Sequence, residues 1–153
     1  MYNCFDIALF FVQLANKDCR PIDPMKLLKI TYMAHGWYLG FQNKALFSNP
    51  VQAWKYGTVI PELYHVIKRF GRNPVDEETL KLYSENEISP ADQEFLKVIW
   101  DQYKDFNGLE LSQKTHESDT PWTRIYKEGL PNTVIPNDVI KNYYDQLIEE
   151  KRG

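Results

Sequence analysis

Apolar and polar positions follow two rhythms along this chain: a helical period over most of it, and a period of two in one short central stretch. Phe5, Ala8, Leu9, Val12 and Ala15 recur at three- and four-residue spacing, with Ile7, Phe11 and Leu14 widening the stripe. Asn3 precedes them as an acceptable N-cap, which predicts a helix to about Asn16. Asp23-Pro24 is a stronger start signal: a capping carboxylate, then a proline where its missing N–H costs nothing. From there to about Leu39 two apolar stripes run side by side. Met25, Leu28, Tyr32, His35 and Leu39 form one; Leu27, Ile30, Ala34, Trp37, Tyr38 and Phe41 form the other. Only Lys26 and Lys29 carry charge. A helix apolar on most sides is buried on most sides, so this is the expected central helix.

The rhythm changes between Gly40 and Thr58. Ser48-Asn49-Pro50 is a turn signal, and Val51, Ala53 and Lys55 alternate with Gln52, Trp54 and Tyr56, which predicts a short β-ribbon. Pro61 then opens a third helix, with Leu63, Val66, Ile67 and Phe70 on its packed face and Gly71 closing it. Residues 72–88 are polar, with a turn or two of helix around Glu77 to Tyr83. Ser89-Pro90 caps a helix reaching Phe106, and Asn107 caps a short one to about Thr115. Thr120-Pro121 starts another around Trp122 to Tyr126, and the last begins near Asn137. The expected fold is mainly α: a compact, single-domain multi-helix bundle over residues 1–153 around a buried central helix, with a small β-ribbon.

Composition narrows the function classes. A net charge of −3 supplies no global basic field for nucleic acid, and the one basic cluster, Lys68, Arg69 and Arg72, is followed by Asp76, Glu77 and Glu78. The second helix is too apolar to read a DNA groove. Cys4 and Cys19 have no metal-type spacing, and the N-terminal stretch lacks a basic region and is interrupted by Asp6. These features predict a cytoplasmic protein without disulfide, cofactor, metal or membrane span.

Candidate chemistry is sparse. The histidines are His35, His65 and His116, none paired at the spacing that puts two imidazoles on one helical face. His35 lies in an apolar stripe and reads as a core histidine with one backbone partner. In THESDTPW, His116 stands beside Glu117 and Asp119, raw material for general acid–base catalysis by a small hydrolase or transferase. No nucleophile has a recognisable setting, and no glycine-rich phosphate loop occurs. No catalytic residue is therefore assigned. A DNA-binding regulator is a further alternative. Tyr64, His65 and Lys68 lie on the third helix opposite its packed face and are the first candidates for contact with a partner.

Three blocks in order, MKLLKITYMAHGWYLG, QAWKYGTVIPELYHVIKRFG and LELSQKTHESDTPW, resemble the Panacea-domain family, also described as SocA-like and phage-associated GepA-like proteins. The resemblance runs from about Phe5 to about Tyr144. Its motif residues here are Trp54, Tyr56, Gly57, Pro61, Tyr64, Thr115, His116, Pro121 and Trp122. Where the family usually has Gly-Pro-Val, this chain has Gly57-Thr58-Val59, which relaxes one turn. The resemblance implies an antitoxin of a toxin–antitoxin system, found in bacterial genomes and prophages, that neutralises a cognate protein toxin by direct binding. In one branch of the family it implies an adaptor delivering the toxin to an ATP-dependent protease. It implies no catalytic residues. The motif residues are expected to form a hub, with Trp54 and Tyr56 packed on Trp122 and His116 bonding across the two later blocks. Truncating Trp54 in such a core would cost roughly 3–5 kcal/mol.

Overall fold

The computed structural model describes residues 1–130 and 132–152. Eight α-helices and three short strands are described: α1 (Cys4–Lys17), α2 (Pro24–Gln42), β1 (Gln52–Trp54), β2 (Gly57–Val59), α3 (Pro61–Ile67), α4 (Glu77–Lys81), α5 (Pro90–Tyr103), α6 (Gly108–Thr115), α7 (Pro121–Ile125), β3 (Thr133–Val134) and α8 (Asn137–Arg152). The fold is mainly α, as the apolar periodicity predicts.

The helix starts follow from capping chemistry. Asn3 and Asn107 each form a capping box, with Asp6 and Glu110 reaching back to the cap N–H. Asp23 accepts from the Lys26 N–H, and Ser89 from the Asp92 N–H. Thr120 makes no such cap; its hydroxyl instead donates to the Thr115 carbonyl at 2.9 Å, tying α7 back to the end of α6.

Helix α2 is the centre of the packing. It touches α1, α3, α5, α6, α8 and β2, and every residue from Leu27 to Leu39 is buried. It runs three residues beyond the predicted end, to Gln42, and is closed by Asn43 in the left-handed conformation at φ 56°. Gly40 therefore belongs to the helix. With Gly36 it forms a seam for α8: a Cβ on Gly36 would collide with the Tyr144 ring, and one on Gly40 would sit 2.8 Å from Ile148 Cδ1. Phe41, expected in an apolar stripe, is exposed, with its ring stacked on Trp37. Helix α5 likewise ends at Tyr103, short of Phe106.

The ribbon forms as an antiparallel hairpin, with Gln52 opposite Val59, Ala53 opposite Thr58 and Trp54 opposite Gly57. A third strand that alternation did not announce, β3, pairs with the other edge of β1. Asp6 anchors the polar stretch before α5: it accepts from Ser84 Oγ and from the Glu85 and Asn86 N–H groups at 2.7–3.0 Å. His35 is a core histidine, but its partner is a side chain, with Nε2 3.1 Å from Asn137 Oδ1, and its ring stacks on Phe47. All four indole N–H groups have acceptors, as buried tryptophans require. Both cysteines are free. No helix among the described residues is long and apolar enough to cross a membrane.

Candidate functional site

The ribbon and the α6–α7 segment meet at Trp122. Pro121 and the tie from Thr120 to Thr115 set the turn between α6 and α7, and the Trp122 indole donates to the Trp54 carbonyl at 2.6 Å. Trp122 also lies between two rings, His116 at 4.3 Å and Tyr126 at 4.7 Å between centroids. The two motif blocks thus join through a ring on one side and a backbone carbonyl on the other.

Two details of the expected hub are corrected. Tyr56 does not pack on Trp122; it occupies the hairpin tip and is 76% exposed, because the Lys55–Tyr56 turn projects beyond the last pair, Trp54 and Gly57. The Trp54 ring turns the other way, half-buried against Tyr64 at 5.3 Å and His65 at 6.4 Å, with its N–H on Gln52 Oε1. His116 bonds within its own helix rather than across: its Nδ1 lies 2.7 Å from the Ser112 carbonyl. A carbonyl only accepts, so Nδ1 carries the proton. Glu117 and Asp119 are exposed and, among the described residues, neither bonds to His116, so the dyad suggested by THESDTPW does not form. No group of three or more His, Cys, Asp or Glu side chains among the described residues could hold a metal ion.

Gly57 explains why the hairpin closes so tightly. Its φ is +132°, and a Cβ there would lie 2.7 Å from Lys29 Nζ and 2.8 Å from His116 Cε1. The backbone needs a residue without a side chain on both counts.

Lys29 is the feature that periodicity missed. It is 5% exposed in the middle of α2, and its ammonium donates to the Thr58 carbonyl at 2.8 Å. Burial pushes its pKa down to about 8. Among the described residues no carboxylate pairs with it. Part of the signal was present in the sequence: of the neighbours one turn away, Met25, Tyr32 and Met33 are apolar and Lys26 alone is charged, so α2 offers Lys29 little polar face to share.

Above Lys29 lies a groove of about 540 Å³, within the range of about 300–1,000 Å³ usual for binding pockets. Met25, Leu28, Trp54 and Tyr64 give it apolar walls; Lys55 and Lys68 stand with Lys29 in its lining, and no acidic residue does. Of the three predicted contact residues, Tyr64 and Lys68 border this groove, with the Lys68 ammonium 5.8 Å from the Tyr64 ring centre. His65 is exposed on the next position of α3 and packs against Tyr64. Thr115 and Pro121 border a separate cavity of about 390 Å³ among Tyr32, Trp37, Tyr103, Phe106, Tyr143 and Tyr144.

The fold is mainly helical, with an open, aromatic-walled groove bordered by α2, α3 and the hairpin. The family model described as antitoxin SocA-like, Panacea domain, matches residues 27–123. The chain belongs to this SocA-like antitoxin family. No curated protein and no solved structure matches it.

Proposed function

We propose that the protein neutralises a cognate protein toxin by binding it directly, and that residues 1–153 act as one unit in doing so. The family match carries the antitoxin reading. The observation that favours direct binding is the groove between α2, α3 and the hairpin, where motif residues Trp54, Tyr56 and Tyr64 line a solvent-open concavity beside Lys68. Buried aromatic anchors with a polar rim are what a protein interface needs, and Tyr64, His65 and Lys68 are its proposed contacts. The setting is a bacterial or prophage genome and the cytoplasm. Delivery of the toxin to an ATP-dependent protease is an extension of the same reading. DNA binding gains nothing from this face, whose three lysines are spread through an apolar groove rather than along a phosphate-spaced stripe.

The test is co-expression with the product of the adjacent reading frame in a growth assay, followed by pull-down. Growth arrest relieved by the wild type, with a complex recovered, supports sequestration. Tyr64→Ala and Lys68→Glu are expected to weaken both relief and recovery. Relief without a complex points to the adaptor route, which a shortened toxin half-life identifies. An adjacent product whose toxicity is untouched removes the proposal's support.

A further inference from the structure

Lys29 poses a problem that the fold alone does not solve. A charged ammonium nine-tenths buried is unfavourable unless paired, yet its one recorded partner is a neutral carbonyl, that of Thr58. An ammonium has three donors. Two of Lys29's are left without a protein acceptor among the described residues, and Lys29 is one of the residues that line a groove open to solvent.

The surroundings define what would satisfy it. Lys55 and Lys68 add positive charge, and neither aspartate nor glutamate lines the groove, although the chain as a whole carries a net charge of −3. The walls are apolar: Met25, Leu28 and Val59 with the rings of Trp54 and Tyr64. An occupant therefore combines a negative head with an apolar body. A phosphate group fits less well. It is recognised by bidentate arginine, by a cradle of backbone N–H groups or by lysine as a point charge, and of these the lining offers lysine without arginine or a glycine-rich phosphate loop. A single buried ammonium suits a carboxylate.

We propose that the groove receives an acidic anchor of the toxin: an aspartate, glutamate or terminal carboxylate that docks on Lys29, next to an apolar side chain that lies on Trp54 and Tyr64. This deepens the toxin-binding reading and rests on it. Lys55 and Lys68 at the rim steer the acidic segment, and the hairpin turn at Gly57, packed against the Lys29 ammonium, holds the head group in place. A peptide held this way leaves the motif residues Trp122 and His116 as the support of the pocket rather than its contacts.

Two measurements on the full chain test this separately from the antitoxin reading. In the first, a random twelve-residue peptide library is selected on wild-type protein, on Lys29→Met and on Lys68→Glu. Lys68 is exposed at the rim, so its reversal keeps the anchor test valid even if Lys29→Met fails to fold. Wild type is expected to enrich peptides with an acidic residue beside an apolar one. These should bind Lys29→Met about tenfold or more weakly, the order expected for loss of a charge-assisted hydrogen bond, and Lys68→Glu more weakly as well. Enrichment without acidic residues, no enrichment at all, or equal binding by the variants overturns the proposal. Inorganic phosphate and AMP, titrated against Trp fluorescence, form a parallel arm; saturable binding there without acidic peptides reassigns the groove to small phosphates and overturns it too.

In the second, the same variants enter the growth assay. If wild type relieves toxicity and both variants relieve it equally, the groove proposal fails while the antitoxin reading stands. If wild type itself gives no relief, the antitoxin reading fails, and the peptide selection still reports on the groove.

Discussion

The indole N–H of Trp122 donates to the backbone carbonyl of Trp54 at 2.6 Å, across 68 residues of sequence. This bond fixes α7 to the hairpin and so sets the position of the groove wall. Trp122→Phe keeps a ring between His116 and Tyr126 but removes the donor. The expected loss is about 1–3 kcal/mol, the range for stranding a shielded acceptor, read as a lower thermal midpoint. An unchanged midpoint would show that water replaces the indole without penalty. Trp54→Ala, by contrast, removes a half-buried ring and is expected to cost about 1–2 kcal/mol, less than the full-core figure that its motif position suggested.

Lys29 is expected to weaken the fold that contains it. Its folded-state pKa of about 8 lies below the ordinary 10.5 because burial disfavours the ammonium. Below pH 8 both folded and unfolded chains hold the proton, and the folded one bears the whole desolvation penalty, about 3 kcal/mol. Between pH 8 and 10.5 the unfolded chain holds more protons, so this penalty fades as pH rises. Lys29→Met should therefore be more stable than wild type at pH 7, by about 1–3 kcal/mol once the lost bond to Thr58 is counted. The difference should shrink towards pH 10.5. Urea unfolding at pH 7 and pH 10 reads both; a less stable variant at pH 7 would contradict the assignment.

His35 has a pH signature of the same sign at lower pH. Burial lowers its pKa to about 4, only partly offset by the bond to Asn137. The unfolded chain takes up a proton as pH falls through 6.5 while the folded chain stays neutral, so stability drops between pH 6.5 and 4, by up to about 3 kcal/mol. His35→Leu is expected to flatten the stability profile across that window. If the variant keeps the wild-type slope there, another group is responsible.

Gly57→Ala tests the hairpin turn. The new methyl group would meet both Lys29 and His116 at a φ that side chains rarely adopt, with an expected cost of about 2 kcal/mol or more. Gly71 is the control: its φ is also positive, at +61°, but nothing lies within 4 Å of its missing Cβ, so Gly71→Ala should cost about 1 kcal/mol. Equal midpoints for the two variants would mean that the crowding at Gly57 relaxes freely.

How much was legible in the sequence depended on the range of the interaction. Asp23-Pro24, Ser89-Pro90 and Asn107 announce their helices because capping involves atoms three residues apart. The burial of α2 was equally plain, since its apolar stripes cover most of its surface. Strand β3 was not, because two exposed residues pair with β1 only after the chain has folded back from α7. Gly40 looked like a break and is a packing surface, a distinction that only Ile148 and Tyr144 reveal. Of the residues that line the groove, Tyr64 and Lys68 were singled out as contact candidates from helical spacing. The burial of Lys29 was overlooked, because Lys26 one turn away suggested a shared polar face and only the Thr58 carbonyl, distant in sequence, reveals where its ammonium goes.

The seam of Gly36 and Gly40 has one more consequence. It is covered by Tyr144 and Ile148, which the ribosome delivers long after α2. While residues 43–136 are being made, the helix that ends up with the most buried residues waits with one side bare. Order of manufacture and order of closure are thus reversed: the centre is laid down early and sealed late. A chain interrupted before α8 would present that open flank to every chaperone and protease it met.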